Sequence, residues 1–370
     1  AEDLADAEQP STEVVDTDIA PQPSEMAPPP TPTSTEAVVS SEMKQGRFVE
    51  RLGYIWLFAT GCLLLVRLLI DPMMVRRPLL PPNLLVGGLA FIGCSLFVFL
   101  TANVIASKPS NTDGATAVAE QATSAARGLA MDIGVSDQGP GYALLNVFPH
   151  KMNKTLAVLS QLSIVLGVVL IGYWHFDNTT TGIGAATLYL MLPYTALMTG
   201  RVDHVLPAAL LTWCILYYRR PLVAGMFLGF ASGVVYYPLF LLPLWLSFYW
   251  QRGLVRFLVG FVSTLATLSF LLMLASSDIL VDLQRMFGLW KPLMDGLGGV
   301  WNSDIGGWDP VVRLPFLAAF LAIACSFALW PPQKNLGTLL SCSAALMVAT
   351  QFWHGYGGGT YMAWYLPLVL

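Results

Sequence analysis

Charge is what this chain has least of. Only 11% of its 370 residues are Asp, Glu, Lys or Arg, against roughly 25% in an ordinary soluble domain. That scarcity excludes a soluble globular enzyme, a nucleic-acid binder and a disordered regulator, since each needs charge to stay solvated or to meet phosphate. Lys and Arg are missing altogether before Lys44, whereas residues 1–43 hold ten Asp/Glu and seven Pro. Cysteine occurs five times, at 62, 94, 214, 325 and 342, with no spacing that suits a metal site. All five lie inside apolar runs and read as small packing residues. No CxxC, P-loop, GxGxxG or HExxH pattern is present.

What is present falls into two parts. Residues 1–43 carry a net charge of −10 and the rest of the chain +6. The first part lacks the apolar mass that offsets ordering entropy, so a disordered acidic tail is expected over 1–43. Its Pro-rich centre is either a solvated spacer or a polyproline II docking segment. No basic segment followed by an apolar run opens the chain, so no signal peptide is expected. Residues 44–82 read as an additional N-terminal membrane helix and turn, and 83–370 as the main membrane domain. The last apolar run stops at Leu370, short of the roughly 20 residues of a span, so that domain is expected to be cut at its C-terminal end.

Apolar runs cover 53–70, 83–106, 156–174, 184–199, 202–218, 221–249, 254–274, 314–331 and 336–353, with a partial run at 361–370. The expected fold is all-α: a polytopic transmembrane helical bundle of about 9–11 membrane helices. The short alternating strands of a β-barrel are not seen. The run 221–249 would make a helix of about 43 Å, too long for one comfortable span. It carries Tyr236-Tyr237-Pro238 near its middle, with Arg219-Arg220 before it and Arg252 and Arg256 after it. Two short helices hinged near Pro238 would place both basic clusters on one side; a single kinked, tilted helix is the alternative.

With the hinge, the short turns at Arg76-Arg77, Arg219-Arg220, Arg252/Arg256 and Lys334 fall inside, and the loops at 107–155, 200–204, 275–313 and 352–360 outside. The tail is outside if 53–70 spans, and inside if that run lies in the interface. The acids of the body then collect at the outer face, which is where polar side chains next to membrane spans usually have a task. Four stretches carry the signal. Asp113 precedes an Ala-rich surface helix and is either a general base at the membrane boundary or a turn and cap residue. Gly139-Pro140-Gly141-Tyr142 reads as a turn, with Tyr142 lying over a substrate or simply anchoring a loop; Asp137 stands just before it. Arg201, Asp203 and His204 stand together at an outer helix end. They suit a phosphate, or an ion pair that closes the helix. Residues 352–367 place His354, Tyr356, Tyr361, Trp364 and Tyr365 around three consecutive glycines, either as interfacial anchors or as a sugar-stacking platform. In the loop before, Asp304 and Asp309 alternate with Trp301 and Trp308. These two carboxylates could attract a divalent cation, although no ligand set is defined and no cofactor or metal is assigned.

In this order and spacing the chain resembles the GT-C superfamily, polytopic glycosyltransferases that use polyprenyl-phosphate sugars, and within it the mannosyltransferase-like members. The resemblance covers about 83–370. It rests on Asp113-Gly114 before a surface helix, Gly139-Pro140-Gly141-Tyr142, Gly200 to His204, Arg219-Arg220-Pro221, Ala224-Gly225 to Gly229, the 236–244 stretch and Tyr361-x-x-Trp364-x-x-Pro367. It implies a GT-C-like fold, Asp113 as the catalytic base, and Arg201 and Asp203 as the polar pair before the double-arginine turn; His204, His354, Tyr356 and Tyr361 are expected beside Arg201 and Asp203 as substrate- or phosphate-binding residues. The donor would be a polyprenyl-phosphate-linked sugar, and the reaction an inverting transfer to a hydroxyl acceptor at the outer face. The chain departs from the family at Val235, where a Lys often stands, and at Gly358, where a His often stands. A multi-pass protein of the cell or inner membrane is expected, with the lipid bilayer and the lipid-linked donor as partners and no nucleic acid. The alternatives are a transporter or lipid flippase, which would want ionisable groups at the midplane and repeated halves, and a catalytically inactive scaffold.

Overall fold

The computed structural model describes residues 34–70, 85–106, 140–146, 150–275, 301, 308–332, 334–353 and 361–370. Two compact units meet at Gly46/Arg47. Of the first, the helical residues from Ser34 onward are described; they begin ten residues before the boundary expected at 43/44. The second unit holds the bundle. It runs from Arg47 to Leu370.

The described residues form thirteen α-helices and no strand. In chain order they are α1 (Ser34–Ile70), α2 (Val86–Ala106), α3 (Pro140–Asn146), α4 (His150–Phe176), α5 (Thr179–Met191), α6 (Pro193–Met198), α7 (Val202–Leu216), α8 (Pro221–Val234), α9 (Leu242–Tyr249), α10 (Leu254–Ala275), α11 (Arg313–Leu329), α12 (Leu336–Trp353) and α13 (Leu366–Val369). Among the described residues, five helical stretches are long and apolar enough to cross a membrane: Arg51–Ile70, Val86–Ala106, Met152–Phe176, Leu254–Leu274 and Leu336–Trp353. Four shorter apolar helices pack among them. The fold is therefore an all-α helical bundle of membrane type. The expected single run at 184–199 is two helices, because Pro193 has no N–H to continue α5 and instead opens α6.

α12 is the central post: every residue from Ser341 to Trp353 is buried. It is also the least apolar of the five long helices, since a helix surrounded by protein can carry Ser341, Ser343, Thr350 and Gln351 where a lipid-facing one cannot. By contrast α1 and α10 turn large apolar side chains outward, including Trp56, Leu63, Val66, Val259, Phe270 and Leu274. α1 is fastened by Phe58, whose ring meets Trp308, Phe316 and Phe352 edge-on at 4.8–5.6 Å.

The stretch 221–249 is hinged. α8 ends at Val234, Val235 is extended (φ −137°, ψ 135°), and a 3-10 turn over Tyr237–Leu241 leads into α9. Both outer ends of this pair return to one place, where the Tyr249 hydroxyl donates to the Tyr218 carbonyl at 2.5 Å. Other helices end there too. His175 Nε2–H donates to the Leu216 carbonyl at 2.8 Å, and Lys334 reaches Ser247 at 2.9 Å. The exposed Arg219, Arg220, Arg252 and Arg256 therefore gather at a single end of the bundle.

The tightest helix pair is α8 with α10. Gly225, Gly229 and Gly233 recur every fourth residue along one face of α8, opposite Gly260. A Cβ at Gly225 would lie 2.1 Å from the Phe257 carbonyl oxygen, and one at Gly260 would lie 2.1 Å from that of Leu222. Only glycine permits backbones to approach so closely, which is the small-residue packing of helices that have no water to exclude. Pro140, Gly141 and Tyr142 are the start of α3, while Gly139, the first residue of the expected Gly-Pro turn, lies outside the described residues. Pro140 sits in the first turn, where its missing N–H costs nothing. A Cβ on Gly141 would come within 3.0 Å of the Gly233 carbonyl, so this glycine extends the same close-packed ridge.

Candidate functional site

At the end of the bundle opposite the arginines, five separated segments meet. α7 opens at Val202 with Arg201 in its N-cap position, and this brings His204, 1% exposed, into the interior. The Tyr194 hydroxyl is hydrogen-bonded to His204 Nδ1 at 2.6 Å. On the other side the His204 ring stacks on Tyr361, with centroids 4.6 Å apart and planes 11° apart. Tyr361 stacks in turn on Trp364 at 4.5 Å, and Trp364 packs against Tyr237 of the hinge at 5.2 Å. Tyr237 meets Trp353, the last residue of α12, at 5.7 Å. Beyond Trp353 stands Arg313, at the head of α11. Its Nε–H donates to the Trp353 carbonyl, and its guanidinium carbon is 5.9 Å from the indole centre. The Gln351 side-chain oxygen accepts the Tyr361 N–H at 3.3 Å and ties the platform to the central post.

The local sequence explains this continuous aromatic ledge. Tyr236-Tyr237-Pro238 cannot continue α8, so the chain turns and presents both tyrosines inward. Met362–Trp364 form a single 3-10 turn before Pro367, so Tyr361 and Trp364 lie on one side of it, three residues apart. A cavity of about 120 Å³ between α1 and α12 adjoins the ledge and is lined by Thr60, Gln351 and Tyr365 among apolar side chains. A larger one, about 390 Å³, lies at the arginine end between the α4–α5 hairpin, α12 and α13. Among the described residues, Asp177 is its one titratable lining side chain.

Of the residues expected in the site, His204 and Tyr361 are brought into direct contact, and Arg201 stands half-buried at the head of the same helix. Asp309 is exposed, and its carboxylate accepts the Val311 N–H at 2.9 Å, so it caps the turn that leads into α11. Asp113, Asp137, Asp304, His354 and Tyr356 lie outside the described residues, as do the side chains of Tyr142 and Asp203. Among the described residues, no three His, Cys, Asp or Glu side chains stand close enough to hold a metal ion. Val235, the departure at the hinge, is 7% exposed beside Tyr236. The sequence reading missed Tyr194, Gln351, Trp353 and Arg313. For Arg313 there was one signal: a basic residue directly at the head of an apolar run, on the side where the acids collect.

No family model, curated protein or solved structure matches this chain. Fold and site together define a helical bundle of membrane type, with a buried histidine–aromatic ledge at one end and exposed arginines at the other.

The Tyr194–His204 contact sits within this stack and should show as a measurable coupling. In a double-mutant cycle of Tyr194→Phe and His204→Phe, the thermal stabilities of the purified protein should deviate from additivity by about 1 kcal/mol. Additive losses would separate the two side chains energetically.

Proposed function

We propose that the protein is an integral membrane glycosyltransferase of the GT-C kind, moving a sugar from a polyprenyl-phosphate donor to a hydroxyl acceptor. The observation that carries this reading is the meeting of His204, the Tyr236-Tyr237 hinge and Tyr361-x-x-Trp364 on one ledge. These are three of the separated motifs on which the resemblance rests. A ledge of stacked rings suits the apolar face of a sugar or the first isoprene units of a lipid. The hydroxyl and imidazole groups at one end of the ledge, and the guanidinium at the other, suit a polar headgroup. Asp113 acts as general base on the acceptor hydroxyl, which attacks the anomeric carbon with inversion as the lipid phosphate leaves.

Membranes containing the full chain are compared with membranes lacking it, using polyprenyl-phosphate-linked hexoses and nucleotide-linked hexoses as donors. Transfer from the lipid-linked donor alone is expected. Transfer from the nucleotide sugar, or from neither donor, overturns the proposal.

A further inference from the structure

α1 leans on the bundle along a narrow strip. Within Arg51–Ile70, Leu68 is the one buried residue. Gly61 sets the approach: a Cβ there would lie 3.3 Å from Phe352 Cζ. Beside this contact the cavity of about 120 Å³ forms a cleft between α1 and α12. An apolar cavity of about 150 Å³ can hold a benzene molecule, so this one has room for a chain of roughly six carbons. Leu57, Phe58, Leu64, Val348, Phe352 and Met362 form its apolar wall.

Three polar side chains share the lining, Thr60, Gln351 and Tyr365, and none is charged at neutral pH. A phosphate or an ammonium group seated here would have no counter-charge among the lining residues, which makes its burial expensive.

The three differ in what they have left to offer. Tyr365 is 7% exposed, and its hydroxyl has no hydrogen-bond partner among the described residues. A polar group set so deep usually has one, because an unpaired group costs its full desolvation. Thr60 is in the opposite condition. Its hydroxyl proton is already given to its own helix, to the carbonyls of Trp56 at 3.0 Å and Leu57 at 2.9 Å. Its oxygen is left to accept. Gln351 uses its side-chain oxygen on the Tyr361 N–H, and its amide nitrogen has only long contacts, 3.3 Å to Thr350 Oγ1 and 3.5 Å to the Met347 carbonyl.

A ligand that satisfies this lining must accept from Tyr365 and donate to Thr60. A hydroxyl does both, whereas an ester or an ether only accepts. The outer face of α1 is apolar, with Trp56, Leu63 and Val66 exposed, so a chain that leaves the cleft continues over apolar surface. We propose that the cleft between α1 and α12 binds an uncharged lipid alcohol, its first carbons against the apolar wall and its hydroxyl between Tyr365 and Thr60. The site goes beyond the transferase reading and does not depend on it.

The test uses the purified full chain in phosphatidylcholine nanodiscs, photolabelled with a pentadecanol that carries a diazirine near its hydroxyl. Labelled residues are mapped by mass spectrometry, and unmodified pentadecanol, pentadecyl acetate and pentadecane compete. Saturable labelling at the cleft residues of α1 and α12 is expected, with pentadecanol the strongest competitor. Tyr365→Phe and Thr60→Val should each weaken pentadecanol about tenfold. The melting temperature of the unliganded protein should not move, since the Tyr365 hydroxyl has no described partner to lose and Thr60 bonds its own helix. Competition by the acetate, which donates nothing, should not respond to Thr60→Val. Gly61→Leu, which fills the cleft, should abolish saturable labelling; should it fail to fold, the other two variants decide alone. Labelling that does not saturate, or that maps elsewhere, overturns the site. So does equal competition by the acetate or the hydrocarbon, or wild-type affinity in either Tyr365→Phe or Thr60→Val. No labelling at all assigns the cleft to water and overturns it as well.

Discussion

Gly260→Leu is expected to abolish the folded protein. At this position α10 approaches α8 so closely that even a methyl group would lie 2.1 Å from the Leu222 carbonyl oxygen and 3.0 Å from its carbon. The obstacle is backbone, not a side chain that can rotate away, so the helices must separate. Separation also releases the reciprocal contact of Gly225 with Phe257 and the packing of Gly229 on Phe261 and Thr264. Overpacking by one methyl typically costs about 1–3 kcal/mol, which is the expectation for Gly260→Ala. A leucine displaces the pair further and should exceed about 4 kcal/mol, in the range reserved for a few severe mechanisms. Against a total stability of about 5–15 kcal/mol, that removes most of the folded population. Size-exclusion profiles and thermal melts of detergent-solubilised protein would measure it. Gly87→Leu is the matched control, because a Cβ there meets nothing within 4 Å and the residue is exposed. A monodisperse Gly260→Leu protein melting like the wild type would refute the close-packed ridge.

Asp113→Asn is expected to reduce sugar transfer by about 10²–10⁴-fold at equal protein abundance, the usual worth of a positioned general base. The amide keeps the size and much of the hydrogen bonding of the acid but cannot take the acceptor's proton. Binding of the lipid-linked donor should survive, so the loss should appear in turnover and not in donor saturation. Asp177→Asn is the control. Asp177 is exposed at the arginine end and adopts φ +50°, a left-handed conformation that asparagine accepts readily. That variant should transfer sugar like the wild type. Equal transfer by Asp113→Asn and wild type would remove the assignment of the base.

Much of this architecture was legible from local pattern. The hinge followed from a run too long for one span with Pro238 at its centre, and α8 ends four residues before that proline. The grouping of Arg219, Arg220, Arg252 and Arg256 at one end followed from the same hinge, since two short helices return the chain to its starting side. Two local readings went differently. Pro193 divides the 184–199 run, and Pro140-Gly141-Tyr142 opens a helix beside the expected Gly-Pro turn. In both places proline was present in the sequence, but whether it ends one helix or begins the next depends on what the segment packs against. For Gly141 that partner is the backbone of Gly233.

The site was legible only in pieces. His204 and Tyr361 each stood out for residue type in an apolar chain, yet nothing in their neighbourhoods says that one ring lies on the other. Trp353 reads as one more interfacial aromatic, and Arg313 as one more flanking cation.

The sequence by itself determined that the chain is helical and membrane-compatible, that its longest apolar run breaks near Pro238, and at which turns its basic residues stand. Each of these depends on hydrophobic run length, proline or charge, which are properties of neighbouring residues. Only the tertiary structure decided which polar and aromatic side chains share a site and which cation is buried. It also decided which glycines are irreplaceable. These depend on contacts between distant segments, as when Arg313 reaches Trp353 across 40 residues. No periodicity encodes such a contact; it exists once helices have packed to the distance that their smallest side chains permit.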